Sequence, residues 1–300
     1  MAKYTAIKVD VDTLTGLCVG VPNILDLLAD YSVKATFFVP MGPDNSGKHI
    51  GRVIKKDFLS RMLKMNPVKM IGFKNLLYGT VLKPPLIGKG NAAILKRIVD
   101  EGHELGIHGW DHYQWQRKLE RMSKDGIRRH LRLSAESYAE IFGSKPKSTA
   151  APGWNTTNSS LEIQEEFGFL YSSDARGIQA FRPKINGKSL RTLQIPTTLP
   201  GMDELGVAGF SSEQILAFFE KEWQRNTLLV LGVHAEIEGI TMRSQFQRLL
   251  ALAATDGVCF ERLDSIAVKL YQDTVCIPEF EIAKAKVKGL EGLFSCQKIS

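Results

Sequence analysis

No apolar run long enough to span a bilayer (roughly 18 residues or more) occurs in the chain, so nothing in it reads as a transmembrane helix. CxxC pairs are missing as well. The four cysteines, Cys18, Cys259, Cys276 and Cys296, stand far apart, which excludes a zinc ribbon or a dithiol motif and fits reduced thiols in a reducing compartment. The first residues, Met1-Ala2-Lys3-Tyr4-Thr5-Ala6-Ile7, lack the apolar core of a secretory leader, so a cytoplasmic protein is expected. Low-complexity tracts and internal repeats are absent. Acidic residues are the scarcer sign, 32 against 39 basic, for a net charge of +7. That surplus permits nucleic acid, an anionic membrane surface or a phosphorylated substrate as partner without choosing among them.

What is present is an ordinary globular composition, with 44% hydrophobic and 24% charged residues over 300 positions. The length suits one large α/β domain or two smaller ones. Strand patterns at residues 4 to 9, 34 to 39, 104 to 107, 148 to 151, 169 to 172, 194 to 196, 228 to 233 and 257 to 260 alternate with helical patterns. The helices are expected at residues 22 to 31, 91 to 101, 125 to 142, 161 to 167, 212 to 224 and 242 to 255. Residues 281 to 300 read as a tail or a final helix. Such alternation predicts a parallel sheet or barrel, in which chemistry gathers at the C-terminal ends of the strands.

Residues 41 to 90 break that rhythm. They hold ten Lys or Arg against Asp44 and Asp57, a surplus of eight positive charges that exceeds the net charge of the whole chain. Phe58, Leu59, Met62 and Leu63 recur as a one-sided stripe ahead of Pro67, as on an amphipathic helix. A basic amphipathic insertion of this kind suits an anionic bilayer; the plainer reading is a surface helix with a solvated charged face.

Polar residues cluster at the predicted strand ends. Asp10 and Asp12 close the first strand, His108 and His112 follow the strand at 104 to 107, and His234 ends the apolar run 228 to 233. Two histidines four apart on a helical turn, with one carboxylate from elsewhere, make a metal face that leaves positions open for water and substrate. The second aspartate is then free to act as a base, and His234 to protonate a leaving nitrogen. A bound divalent ion would polarise an amide carbonyl and activate water.

These motifs resemble the polysaccharide deacetylase superfamily over most of residues 3 to about 270. Lys8-Val9-Asp10-Val11-Asp12 is similar to its first motif, and the resemblance implies Asp10 as general base and Asp12 as metal ligand. Gly102-His103-Glu104-Leu105-Gly106-Ile107-His108 through His112 is similar to the motif that supplies both histidine ligands, with His103 structural. Ala151-Pro152-Gly153-Trp154 resembles the third motif, so Pro152, Gly153 and Trp154 are expected to line the substrate groove. Asp174 resembles the fourth motif and is expected to orient His234 or another polar group. Val233-His234 resembles the fifth, with His234 as general acid. The third motif usually opens with an arginine that holds the base, where this chain has Ala151; Arg176 is the candidate replacement.

The resemblance implies an α/β fold, a distorted (β/α) barrel, as a single catalytic domain over residues 1 to 300. The basic amphipathic helical insertion at 41 to 90 would then be its lipid-contacting element. It implies one divalent metal ion, Zn, Mn, Co or Ni. Within the superfamily, Val39-Pro40-Met41-Gly42-Pro43-Asp44-Asn45, Ser173-Asp174-Ala175-Arg176-Gly177, Phe181-Arg182-Pro183 and His234-Ala235-Glu236-Ile237-Glu238-Gly239 resemble the bacterial deformylases of formylated aminoarabinose carried on undecaprenyl phosphate. That likeness implies an undecaprenyl-phosphate-linked amino sugar as substrate. It also implies work at the inner face of the bacterial inner membrane, peripherally bound to its anionic surface, with no nucleic-acid or protein partner. Trp110, Tyr113 and Trp115 are expected to wall a shallow acyl pocket, Arg182 to meet the phosphate, and Glu236 and Glu238 to meet sugar hydroxyls or the new amine. The rival readings are an N-deacetylase of another amino sugar or cell-wall polymer, a non-enzymatic lipid-binding module, and a pseudoenzyme.

Overall fold

The structure is a computed structural model and describes residues 4–49, 77–225, 227–273 and 276–299. The amphipathic stripe at 58 to 63 lies outside the described residues.

Apolar β-branched and aromatic runs build the sheet. The strands are β1 (Tyr4–Asp10), β2 (Thr36–Val39), β3 (Glu104–Ile107), β4 (Ser148–Thr149), β5 (Tyr171–Ser172), β6 (Arg182–Ile185), β7 (Lys188–Ser189), β8 (Leu193–Gln194) and β9 (Leu228–His234), followed by β10 (Glu279–Phe280), β11 (Ile282–Ala285) and β12 (Phe294–Gln297). Seven of them form one sheet in the order β8-β5-β4-β3-β2-β1-β9. Every pairing in it is parallel. The sheet curls, and the chain just past β8 returns to its far edge: Leu199 bridges Leu231 of β9, and Thr198 and Leu199 both donate to the Val230 carbonyl. The result is a parallel sheet of the kind the alternating pattern predicts, curled into the distorted barrel that the resemblance implies.

Helices α1 (Val21–Asp30), α2 (Ala92–Asp100), α3 (His112–Lys118), α4 (Lys124–Phe142), α5 (Asn158–Phe167), α6 (Met202–Val207), α7 (Ser212–Trp223), α8 (Arg243–Thr255) and α9 (Leu263–Gln272) cover the sheet. Strands β1, β2 and β3 are buried along almost their whole length, which is what a parallel strand between helical layers requires. Helix starts are fixed locally. Thr157 and Ser211 each form a reciprocal capping box, and Ser123 caps α4.

Two expectations fail. Residues 257 to 260 form no strand; Phe260 makes only a single bridge to Thr5. The last stretch is neither tail nor helix: β11 and β12 pair antiparallel, and this hairpin packs on the barrel mouth. There Ser295 Oγ accepts from the Thr156 N–H and hydroxyl, and Phe294 meets Trp154 edge-on.

Candidate active site

The exits of β1, β3 and β9 converge. Asp10 pairs in register with His234, and β1 hands over to a loop carrying Asp12. His108 follows β3 directly, and His112 is the first residue of α3. The two rings are not stacked along one helical turn, as spacing alone suggested. A turn at Gly109, with φ +70°, folds them together to 5.3 Å between centroids.

Asp12 Oδ1 lies 3.0 Å from His112 Nε2 and 3.5 Å from His108 Nε2. The three donor atoms lie within 4.8 Å of one another. His108 Nδ1 sits 2.9 Å from the Ala150 carbonyl, which holds the proton on that nitrogen and leaves the Nε2 lone pair facing Asp12. An open one-carboxylate, two-imidazole face of this kind can hold a divalent ion. Burial disfavours the His112 cation, yet Asp12 beside it more than offsets that and raises its pKa.

Asp10 is buried, and its Oδ2 accepts from Lys8 Nζ at 2.8 Å; its Oδ1 is buried without a hydrogen-bond partner. Lys8 is fully buried, with its ammonium 5.4 Å from the Trp154 ring and 5.6 Å from Phe38. Residues two apart on a strand share a face, so Lys8 and Asp10 both point into the barrel. Lys8 therefore takes the place foreseen for Arg176. Arg176 turns elsewhere: it pairs with Glu204 at 2.8 Å, donates to the Leu199 carbonyl and stacks 5.0 Å over Trp154. Sequence reasoning passed over Lys8, although a lysine two residues before Asp10 in an apolar strand was a visible signal.

His234 lies edge-on to Trp154 at 5.7 Å. Burial opposes its charged form, but Asp12, then Asp203, Asp10 and Glu238, lift its pKa to about 9. Its Nδ1 is buried without a partner, as is Asp203 Oδ1. Asp203 was not foreseen. Asp174, expected to orient His234 or another polar group, meets Gln194, whose side chain donates to its Oδ2 at 2.9 Å and accepts from its backbone N–H. Burial raises the Asp174 pKa.

Pro152, Gly153 and Trp154 form a tight turn after β4. Gly153 and Trp154 both have positive φ, and a Cβ at Gly153 would lie 2.5 Å from the Gln116 side chain. Trp154 is anchored by its indole N–H to Thr197 Oγ1 at 3.0 Å. Trp110 is half-buried and donates its backbone N–H to His130; Tyr113 is half-buried beside His112, and Trp115 is packed in the core.

Glu236 and Glu238, expected to meet sugar hydroxyls or the new amine, are buried beside the site. Glu236 Oε1 accepts from the backbone N–H groups of Asp12 and Thr13 and from the Thr13 hydroxyl, and Glu238 Oε2 accepts from the His234 N–H. Burial, followed by the charge of Asp12 for Glu236 and of Asp203 for Glu238, raises their pKa values to about 7 and about 8. Arg182 lines a cavity of about 480 Å³ with Leu170, Arg191, Thr192 and Tyr271. Leu170 and Thr192 immediately precede β5 and β8, so this cavity is at the N-terminal rim of the sheet, opposite the histidines.

The sequence profile of the family described as polysaccharide deacetylase matches residues 15–172, more than half of the chain. The chain belongs to the polysaccharide deacetylase family. Among members of this hydrolase family, two curated relatives are each 34% identical to it. One, from Shewanella sediminis (strain HAW-EB3), aligns over 97% of this chain and 93% of its own. The other, from Wigglesworthia glossinidia brevipalpis, aligns over 94% and 98%. Both are named "Probable 4-deoxy-4-formamido-L-arabinose-phosphoundecaprenol deformylase ArnD". Among solved structures, PuuE allantoinase shares the fold with a TM-score of 0.64, at 18% identity over 91% of this chain and 92% of that chain.

Proposed function

We propose that the protein hydrolyses the formamide of 4-deoxy-4-formamido-L-arabinose phosphoundecaprenol, releasing formate and the free 4-amino-4-deoxy-L-arabinose lipid for lipid A modification and polymyxin resistance. The observation that carries the reading is the convergence of Asp12, His108 and His112 beside Asp10 and His234, in a chain 34% identical to deformylases over nearly its full length.

Asp12, His108 and His112 would hold one divalent ion, which when bound supplies Lewis acidity to the amide carbonyl and to water. Asp10 presents its unpartnered Oδ1 to take the proton of the attacking water, while Lys8 keeps the other oxygen in place. His234, held in its charged form by the carboxylates around it, delivers a proton to the departing nitrogen. An amide nitrogen leaves as a neutral amine only with that proton. Trp154 closes one side of His234 and limits water there. The surplus of eight positive charges in residues 41 to 90 supports docking on an anionic bilayer, where a lipid-linked substrate resides. Among the described residues no helix is long and apolar enough to cross a membrane.

The test is formate and acetate release from the lipid-linked formamido sugar and its acetamido analogue. Strong preference for the formamide supports the assignment. Preference for the acetamide points to the N-deacetylase reading instead.

A further inference from the structure

The stretch Gly42-Pro43-Asp44-Asn45 stands out in the sequence, yet the proposed reaction gives it no role. We propose that Asp44 and Asn45 form a splint that holds the metal-binding segments in register with each other. The inference rests on the metal-centre reading above.

Both residues are buried, at 1% and 5% exposure, just beyond the end of β2 between the exits of β1 and β3. Asp44 reaches one way. Its Oδ2 accepts from the Leu14 N–H at 2.7 Å, two residues past Asp12, while its Oδ1 is steadied by the Ser46 N–H at 2.9 Å. Asn45 reaches the other way. Its Nδ2 donates at 2.6 Å to Oδ2 of Asp111, a fully buried carboxylate. Asp111 caps α3 by accepting from the Gln114 N–H at 2.9 Å, and the first residue of that helix is His112. The backbone completes the brace. Gly42 N–H donates to the Trp110 carbonyl at 2.9 Å, and Met41 N–H to Gly109, within the turn that joins the two histidines. A Cβ at Gly42 would lie 2.4 Å from that Trp110 oxygen, so only glycine allows the approach.

One short segment thus grips the Asp12 loop with one side chain and the His112 helix with the next. Polar groups that orient metal ligands contribute to metal affinity, and losing one typically weakens it about 10- to 100-fold. Asn45 must donate, because an aspartate there would place a second carboxylate against Asp111. The return limb of the insertion closes on the same segment: Asp44 N–H donates to Pro85, Ile87 N–H donates to Gly42, and Gly79 packs on Asn45 Oδ1. The splint therefore also ties the ligands to both described limbs of the 41 to 90 insertion.

The test titrates metal-stripped protein with Co2+, following visible absorption, and measures the thermal midpoint of each stripped variant. Asn45→Ser, Asn45→Asp and Asp44→Asn are compared with the wild type and with Leu95→Ala, a core truncation in α2. The expected result is Co2+ affinity about 10- to 100-fold weaker in the splint variants. Leu95→Ala should keep wild-type affinity while losing stability. Splint variants that bind within about threefold of the wild type overturn the splint, as does an equal affinity loss in Leu95→Ala. A wild type that takes up no Co2+ overturns the metal-centre reading and the splint with it.

Discussion

Lys8 Nζ sits 2.8 Å from Asp10 Oδ2, with the lysine side chain fully enclosed in the barrel. Two buried opposite charges stabilise little as a pair, but removing one strands the other. Lys8→Met is therefore expected to destabilise the protein by about 3–5 kcal/mol and to abolish turnover. Lys8→Arg should retain part of both properties. The double variant Lys8→Met/Asp10→Asn should recover stability but not activity. Denaturant unfolding of the three variants checks this; a double variant as unstable as Lys8→Met would sink the pairing argument.

His234 is held up near pH 9 by Asp12, Asp203, Asp10 and Glu238 against the effect of burial. If it gives up a proton in the reaction, activity falls as pH rises through its pKa. Asp203→Asn removes one of the supporting charges without touching the Asp12, His108 and His112 face. The alkaline limb of the kcat profile should move to lower pH. An unmoved limb would mean that Asp203 does not act on His234.

Burial, with Lys34 adding to it, lowers the His103 pKa to about 4, and burial lowers that of His130 to about 4. In the unfolded chain both titrate near 6.5, so below that pH the unfolded state binds more protons. The stability from keeping them neutral is fully present above pH ~6.5 and drains away as pH falls toward about 4. Each site should contribute roughly 1–3 kcal/mol across that window. His103→Gln can still accept from the Ala35 N–H and should flatten part of the slope, read as thermal midpoint against pH.

The basic surplus at 41 to 90 predicts flotation with anionic vesicles that weakens as salt rises. Replacing its lysines by glutamine should lower recovery with the vesicles yet spare hydrolysis of a soluble headgroup analogue. Equal recovery of both forms would remove the membrane role from this segment.

Much of the fold was legible because the apolar runs are strong. The strand at 104 to 107 was bounded to the residue, and the candidate site was visible as polar residues at strand ends. Local pattern failed where long-range contacts decide. Residues 257 to 260 look like a strand but find only Thr5 as a partner. The hairpin of β11 and β12 was missed, although Lys284, Lys286 and Lys288 alternate with Ala283, Ala285 and Val287 at the strand period. The burial of Glu236 is not legible locally; only the approach of the β1 loop, 224 residues away, gives it its backbone donors. Arg176 has the charge to replace the missing arginine, but Glu204 claims it.

The most direct test of the central claim is formate release from the lipid-linked formamido sugar by native, metal-stripped and metal-restored protein, with Asp10→Asn and His234→Ala alongside. The account predicts release by the native protein, loss on stripping, recovery on adding back Zn, Mn, Co or Ni, and no release from either variant while it still binds metal. Undiminished release from fully stripped protein, or from His234→Ala, would contradict it.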